Sequence, residues 1–174
     1  MVDFKLSDEI IAKDIFLADK NRIKFFQDVN LTTYPSTVFA VTLQHIAEKE
    51  TANFLNELGQ KMGLTAAKEM MNELLKKKSF IPERLQSIFS LLQSMGLGKI
   101  EILEEKDDNK IYFRVTNNPI IEYAKEKFGN KSVICNFFGE FYLSYINIEV
   151  QFESKKLKHN KCICKGDPYC EWST

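Results

Sequence analysis

Cysteine is scarce in this chain of 174 residues, which has only four, so no disulfide lattice can be built from it. None is needed, because at this length a single core buries about 70% of the surface that the unfolded chain exposes. An excess of either charge is also absent. The 24 basic side chains are balanced by 24 acidic ones, which argues against a nucleic-acid binder that works by neutralising phosphates. No stretch reaches the roughly 18 uninterrupted apolar residues of a membrane span. The opening Met-Val-Asp-Phe-Lys-Leu-Ser-Asp lacks a basic region followed by an apolar one, so a cytoplasmic location is expected. Histidine is nearly absent, with two in all, and neither a glycine-rich phosphate loop nor a GxSxG elbow occurs. An enzyme is therefore less expected than a binding protein. His45 lies inside an apolar helical pattern between Leu43 and Ile46, where a half-exposed helix residue is the ordinary reading.

What is present is an apolar fraction of 44%, enough for a folded core. With no repeat, low-complexity tract or long linker, residues 1–174 read as one domain. Ile15 to Leu17 and Ile23 to Phe26, around a polar turn, read as a hairpin. After Tyr34-Pro35, Ser36 can cap a long helix running to Leu58, ended by Gly59 and Gly63. Thr65 can cap a second helix to Lys78, and Pro82 begins a third that stops at Gly96. Ile100 to Val115 reads as a hairpin about Lys106-Asp107-Asp108-Asn109. Asn118-Pro119 opens a helix to Phe128, and Val133 to Ile146 is a buried helix. The alternating Ile148, Val150 and Phe152 read as a strand. Gly166-Asp167-Pro168 turns a final hairpin. Helices first and strands later give an α+β fold.

Three of the cysteines fall in the last thirteen residues, and reduced cysteines that cluster are more often metal ligands than disulfides. Across a tight turn Cys162 and Cys170 make half of a tetrahedral zinc site, which His159 and Cys135 could complete. The alternative is that all are ordinary thiols, with Cys135 filling core space and His159 solvated. Cys162 and Cys164, taken as strand residues, are assigned to opposite faces, so that only one of them can share a site with Cys170. Phe137, Phe138, Phe141, Tyr142 and Tyr145 lie within nine residues, more aromatic surface than one helix face needs for a core, and could line a cavity for a planar ligand.

The run Cys135-Asn136-Phe137-Phe138-Gly139, followed by Cys162-x3-Gly166-Asp167-x2-Cys170-Glu171-Trp172, resembles the 4-vinyl reductase domain family, which also forms the sensory domains of phenol-responsive activators. Gly59-x3-Gly63 and Ser94-Met95-Gly96-Leu97-Gly98 fit the same layout. The resemblance implies an antiparallel sheet with packed helices enclosing an apolar ligand cavity, beside a structural Zn²⁺. In similar domains the metal is held by an early cysteine, a glutamate three residues before the next cysteine, that cysteine, and another eight residues on. Carried over, these fall on Cys135, His159, Cys162 and Cys170, with histidine standing where the family has glutamate. Glu153, Glu171 or a water remain alternatives for the fourth ligand. The expected function is a zinc-containing sensor or carrier of a small hydrophobic or aromatic molecule, contacted by Phe137, Phe138, Phe141 and Tyr142. The alternatives are a reductase or auxiliary protein acting on a vinyl-tetrapyrrole substrate, and a protein-interaction scaffold. An exposed stripe on the first long helix could serve a homodimer.

Overall fold

A computed structural model describes residues 16–19, 22–25, 29–31, 34–75, 81–103, 110–150 and 156–174. The expected N-terminal hairpin is present as β1 (Phe16–Asp19) and β2 (Arg22–Phe25), and β3 (Val29–Leu31) extends it into a three-stranded antiparallel sheet.

Helix α1 (Ser36–Lys49) begins where expected, but Pro35 holds the capping position and makes no side-chain bond, so Ser36 is the first helical residue rather than the cap. The helix also ends earlier than Leu58. Glu50 turns extended, and Thr51 restarts the chain by accepting the amide of Phe54 on its carbonyl. Helix α2 (Ala52–Leu75) then passes straight through Gly59, Gly63 and Thr65, three residues expected to separate two helices. The reason is packing. A Cβ on Gly59 would stand 2.2 Å from the carbonyl oxygen of Phe137, and one on Gly63 2.6 Å from that of Phe141. Glycine costs about 1 kcal/mol in a helix interior relative to alanine, and here it lets two helix backbones touch. Thr65 makes no cap; its hydroxyl donates to the Lys61 carbonyl one turn back, at 2.9 Å.

Helix α3 (Ile81–Ser94) closes at Gly96, whose φ of +78° suits glycine. The Leu97 amide donates to the Leu92 carbonyl and the Gly96 amide to that of Gln93, the paired bonds of a Schellman ending. Strands β4 (Lys99–Leu103) and β5 (Tyr112–Thr116) form the expected antiparallel hairpin; its turn, Lys106 to Asn109, lies outside the described residues. Helix α4 (Pro119–Phe128) is capped by the Asn118 side chain, which accepts from the amides of Ile120 and Ile121 at 2.9 and 3.1 Å.

Helix α5 (Ile134–Val150) is the buried helix, and it absorbs Ile148 and Val150, which were expected in a strand. Phe152 lies outside the described residues. Two alternating apolar residues cannot by themselves distinguish a strand from a helix end. Tertiary contact decides, because buried Tyr145, Ile146 and Glu149 continue the helical face, and the Glu149 carboxylate meets Arg84 of α3 at 2.5 Å. Strands β6 (Lys158–Lys161) and β7 (Cys170–Ser173) form the final hairpin.

The second sheet has the order β4-β5-β7-β6, all antiparallel, which completes the α+β fold. Ile100, Phe113, Val115, Cys170 and Trp172 are buried on its inner face. Glu101, Arg114, Glu171 and Lys161 stand opposite one another across the four strands as a row of alternating charge. Opposite charges facing one another across strands fix register, at about 0.2 to 1 kcal/mol per pair.

Candidate metal centre and the aromatic helix beside it

The four sequence-predicted ligands come together. Cys135 sits on the first turn of α5, His159 on β6, Cys162 just after that strand, and Cys170 at the start of β7. Their donor atoms all lie within 4.8 Å of one another. The Cys135 Sγ is 3.7 Å from that of Cys162 and 3.6 Å from that of Cys170. Sulfur atoms each about 2.3 Å from the centre of a tetrahedron lie about 3.8 Å apart, so this spacing fits a metal shell without rearrangement.

Local backbone chemistry makes the corner. Cys162 leads into a single 3-10 turn, Ile163–Lys165, closed by Gly166 at φ +104°, a left-handed conformation that a side chain would strain. Asp167 ties the loop to itself. Its carboxylate accepts the Cys162 amide at 2.7 Å, while its own amide donates to the Cys162 carbonyl. The Ile163 amide donates to the Cys170 sulfur at 3.4 Å, as outer-sphere donors do for metal thiolates. His159 lies flat on Trp172, with rings 4.9 Å apart and 12° from parallel, and the indole stacks in turn near Phe113. Gly139 admits that indole, since a Cβ there would be 2.5 Å from its Nε1.

The ionisation of the metal-free cluster also favours a cation. Hydrogen bonds from Cys135, Cys164 and Cys170 hold the Cys162 thiol far below its usual range. The Cys135 thiol is raised by its sulfur neighbours and by burial, while Cys164 and Cys170 are pushed up to about 11 and about 12. The Nε2 of His159 is buried with no hydrogen-bond partner among the described residues. Three buried thiols and an imidazole nitrogen are a donor set that a divalent metal satisfies.

Cys164 is the correction. It does not point away: its Sγ lies 3.7 Å from that of Cys135, and all four cysteines are buried around one point. Residues two apart in a strand share a face, so the opposite-face assignment did not follow even for a strand; here the segment is a 3-10 turn instead. Among the described residues, His159 and not Glu171 stands with the three cysteines. Glu171 is engaged on the outer face with Arg114 at 3.2 Å, and Glu153 lies outside the described residues.

Phe137, Phe138, Phe141 and Tyr142 are all buried along α5. Phe137 stacks on Phe141 at 5.8 Å, Phe138 on Tyr142 at 5.9 Å, and Phe39 of α1 meets both Phe137 and Phe138. The Tyr142 hydroxyl is fully engaged, accepting from Asn118 Nδ2 at 2.7 Å and donating to the Leu97 carbonyl. Tyr145 differs. Its buried hydroxyl donates to the Met70 sulfur, a weak acceptor, at 3.3 Å. His45 is exposed on α1, away from any such cluster among the described residues.

No protein-family model matches this chain, and no curated protein sequence does. Among solved structures, the crystal structure of the phenol-responsive sensory domain of the transcription activator PoxR with phenol superposes with a TM-score of 0.74, at 11% sequence identity. The match covers 99% of this chain and 90% of that one. The chain therefore shares the fold of that domain. Among the described residues, no helix is long and apolar enough to cross a membrane.

Proposed function

We propose that the chain is a single ligand-binding domain that senses or carries a small hydrophobic or aromatic molecule and holds a structural Zn²⁺ on Cys135, His159, Cys162 and Cys170. One observation carries the reading. Cys135 on the first turn of α5 and the aromatic residues on its next two turns belong to one rigid element, so the metal positions the helix that would contact the ligand. The fold shared with a domain that responds to phenol supports an aromatic ligand, as do the packed rings of Phe137, Phe138, Phe141 and Tyr142.

Zinc is the metal chosen, since thiolate and imidazole donors in a closed four-coordinate shell suit it and leave no position for catalysis. When bound, it would supply charge compensation for the buried thiolates and a fixed angle between α5 and the final hairpin. Kinship with the 4-vinyl reductase family and a cytoplasmic setting belong to this reading; reduced thiols accord with such a compartment. A homodimer formed through α1 is part of it too, for Val38 and Val41 are exposed there.

The test is a thermal-shift and calorimetric panel of phenols, other small aromatics and tetrapyrroles against the zinc-loaded protein. A binder at a hundred times its Kd is expected to stabilise the fold by about 2.7 kcal/mol. If every compound leaves the melting temperature unmoved at millimolar concentration, the sensor reading fails. Turnover of a vinyl substrate with a reduced nicotinamide would replace it with the reductase.

A further inference from the structure

The metal shell uses three of the four buried sulfurs, and the fourth is not idle packing. Cys164 lies as close to Cys135 (3.7 Å) as the ligand cysteines Cys162 and Cys170 do (3.7 and 3.6 Å). Cys135 thus stands at the centre of three sulfurs, two of which share the metal with it and one of which does not. The position of Cys164 is set by the 3-10 turn, not by a strand, and Gly166 closes that turn. The Cys164 sulfur also interacts with the Cys162 thiol and the Ser132 hydroxyl, and lies 4.0 Å from the Ile121 carbonyl. Cys162 and Cys164 keep 5% and 4% exposure, and Lys165 and Gly166, which follow directly, are exposed.

We propose that Cys164 is the resolving thiol of an oxidation-sensitive metal switch, in which a peroxide joins Cys135 to Cys164 and expels the ion. The inference rests on the metal reading above. The electrons balance in two steps. The Cys135 thiolate attacks one peroxide oxygen, the O–O bond breaks, and Cys135 becomes a sulfenic acid while the other oxygen leaves and is protonated to water. The Cys164 thiol then attacks that sulfur, forming the disulfide and releasing a second water. Two thiols are oxidised by two electrons, and one peroxide is reduced to two waters. A disulfide sulfur is a poor ligand, so the shell falls to two thiolates and one imidazole and the metal is lost. Because Cys135 opens α5, the same event frees the helix that bears the aromatic side chains.

The experiment uses the full chain, purified with its zinc under anaerobic conditions, treated with hydrogen peroxide, and followed by a chromogenic zinc chelator and by mass spectrometry of the digested protein. The wild type is expected to release its zinc, to show a bond between Cys135 and Cys164, and to recover the metal after dithiothreitol and added zinc. C164S is expected to bind zinc as the wild type does and to lose the reversible release and the disulfide. Fragmentation within the peptide carrying both Cys162 and Cys164 assigns the bonded sulfur. The proposal is overturned if C164S releases zinc as fast and as reversibly as the wild type, or if the disulfide joins other cysteines. Untreated protein that holds no metal would instead overturn the metal reading on which it rests. A C164S protein that folds poorly is replaced by C164A, judged by the same two readouts.

Discussion

Helix α5 is held at its first turn and at its middle by different kinds of chemistry. At the middle, the backbone of Phe137 and Phe141 presses on Gly59 and Gly63 of α2, and the Ser144 hydroxyl donates to the carbonyls of Gln60 and Glu140. That contact is complete within the chain and is steric in origin. At the first turn, Cys135 meets three other buried thiols. Thiolates buried together at one corner are stable only when their charge is offset. One end of the helix is finished by the chain alone, while the other carries a group of side chains that could hold a metal ion.

The largest expected effect lies at the steric end. Gly59→Val places a branched side chain where even a Cβ would be 2.2 Å from a carbonyl oxygen, and no soluble folded protein is expected by circular dichroism. Gly129→Ala is the contrast. Nothing lies within 4 Å of the Cβ position, so only the backbone at φ +57° is strained, at a cost of about 1 to 3 kcal/mol in a denaturant titration. If both variants fold equally well, the close helix crossing is not what holds α5.

Next is the metal end. Cys170→Ser is expected to lose the metal, and with it all the difference in melting temperature that a strong chelator produces in the wild type. A chelator effect of equal size in variant and wild type would remove the ion from the account. Asp167→Ala deletes the acceptor for the Cys162 amide, and about 1 to 2 kcal/mol of stability and some metal affinity should go with it. The same substitution should leave the α2–α5 crossing untouched.

The smallest effect concerns alkaline pH. Burial raises the Tyr142 and Tyr145 phenols well above their usual value of 10.0. A raised folded-state value means that stability is whole below pH 10 and declines as pH rises beyond it, because the unfolded chain releases protons that the folded one retains. Spectrophotometric titration should show these two tyrosines ionising only with unfolding. Tyr142→Phe should shift the alkaline midpoint upward, although it costs about 1 kcal/mol at neutral pH.

The same contrast explains what could be read in the sequence. Cys162 and Cys170 were legible as half of a candidate site from their places across the Gly-Asp-Pro turn, whereas Cys135 and His159 joined them as a set only through the family resemblance; the Asn118-Pro119 and Gly96 helix boundaries carry their chemistry in adjacent residues. Gly59 and Gly63 misled, since a glycine that ends a helix and one that admits a crossing helix are identical until the partner is placed. Thr65 misled likewise, for its hydroxyl serves an interior turn as readily as a cap. Ile148 and Val150 looked like a strand because the bond between Glu149 and Arg84, 65 residues apart, is invisible locally. Cys164 was within reach of the sequence too, because residues two apart in a strand already share a face, and the 3-10 turn closed by Gly166 keeps it beside Cys135.

The most direct test of the central claim is X-ray absorption at the zinc edge on protein purified without added metal. The account predicts one zinc per chain, bound by three sulfurs at about 2.3 Å and one nitrogen at about 2.0 to 2.1 Å. Protein without stoichiometric metal, or with a shell made mostly of oxygen, would contradict it.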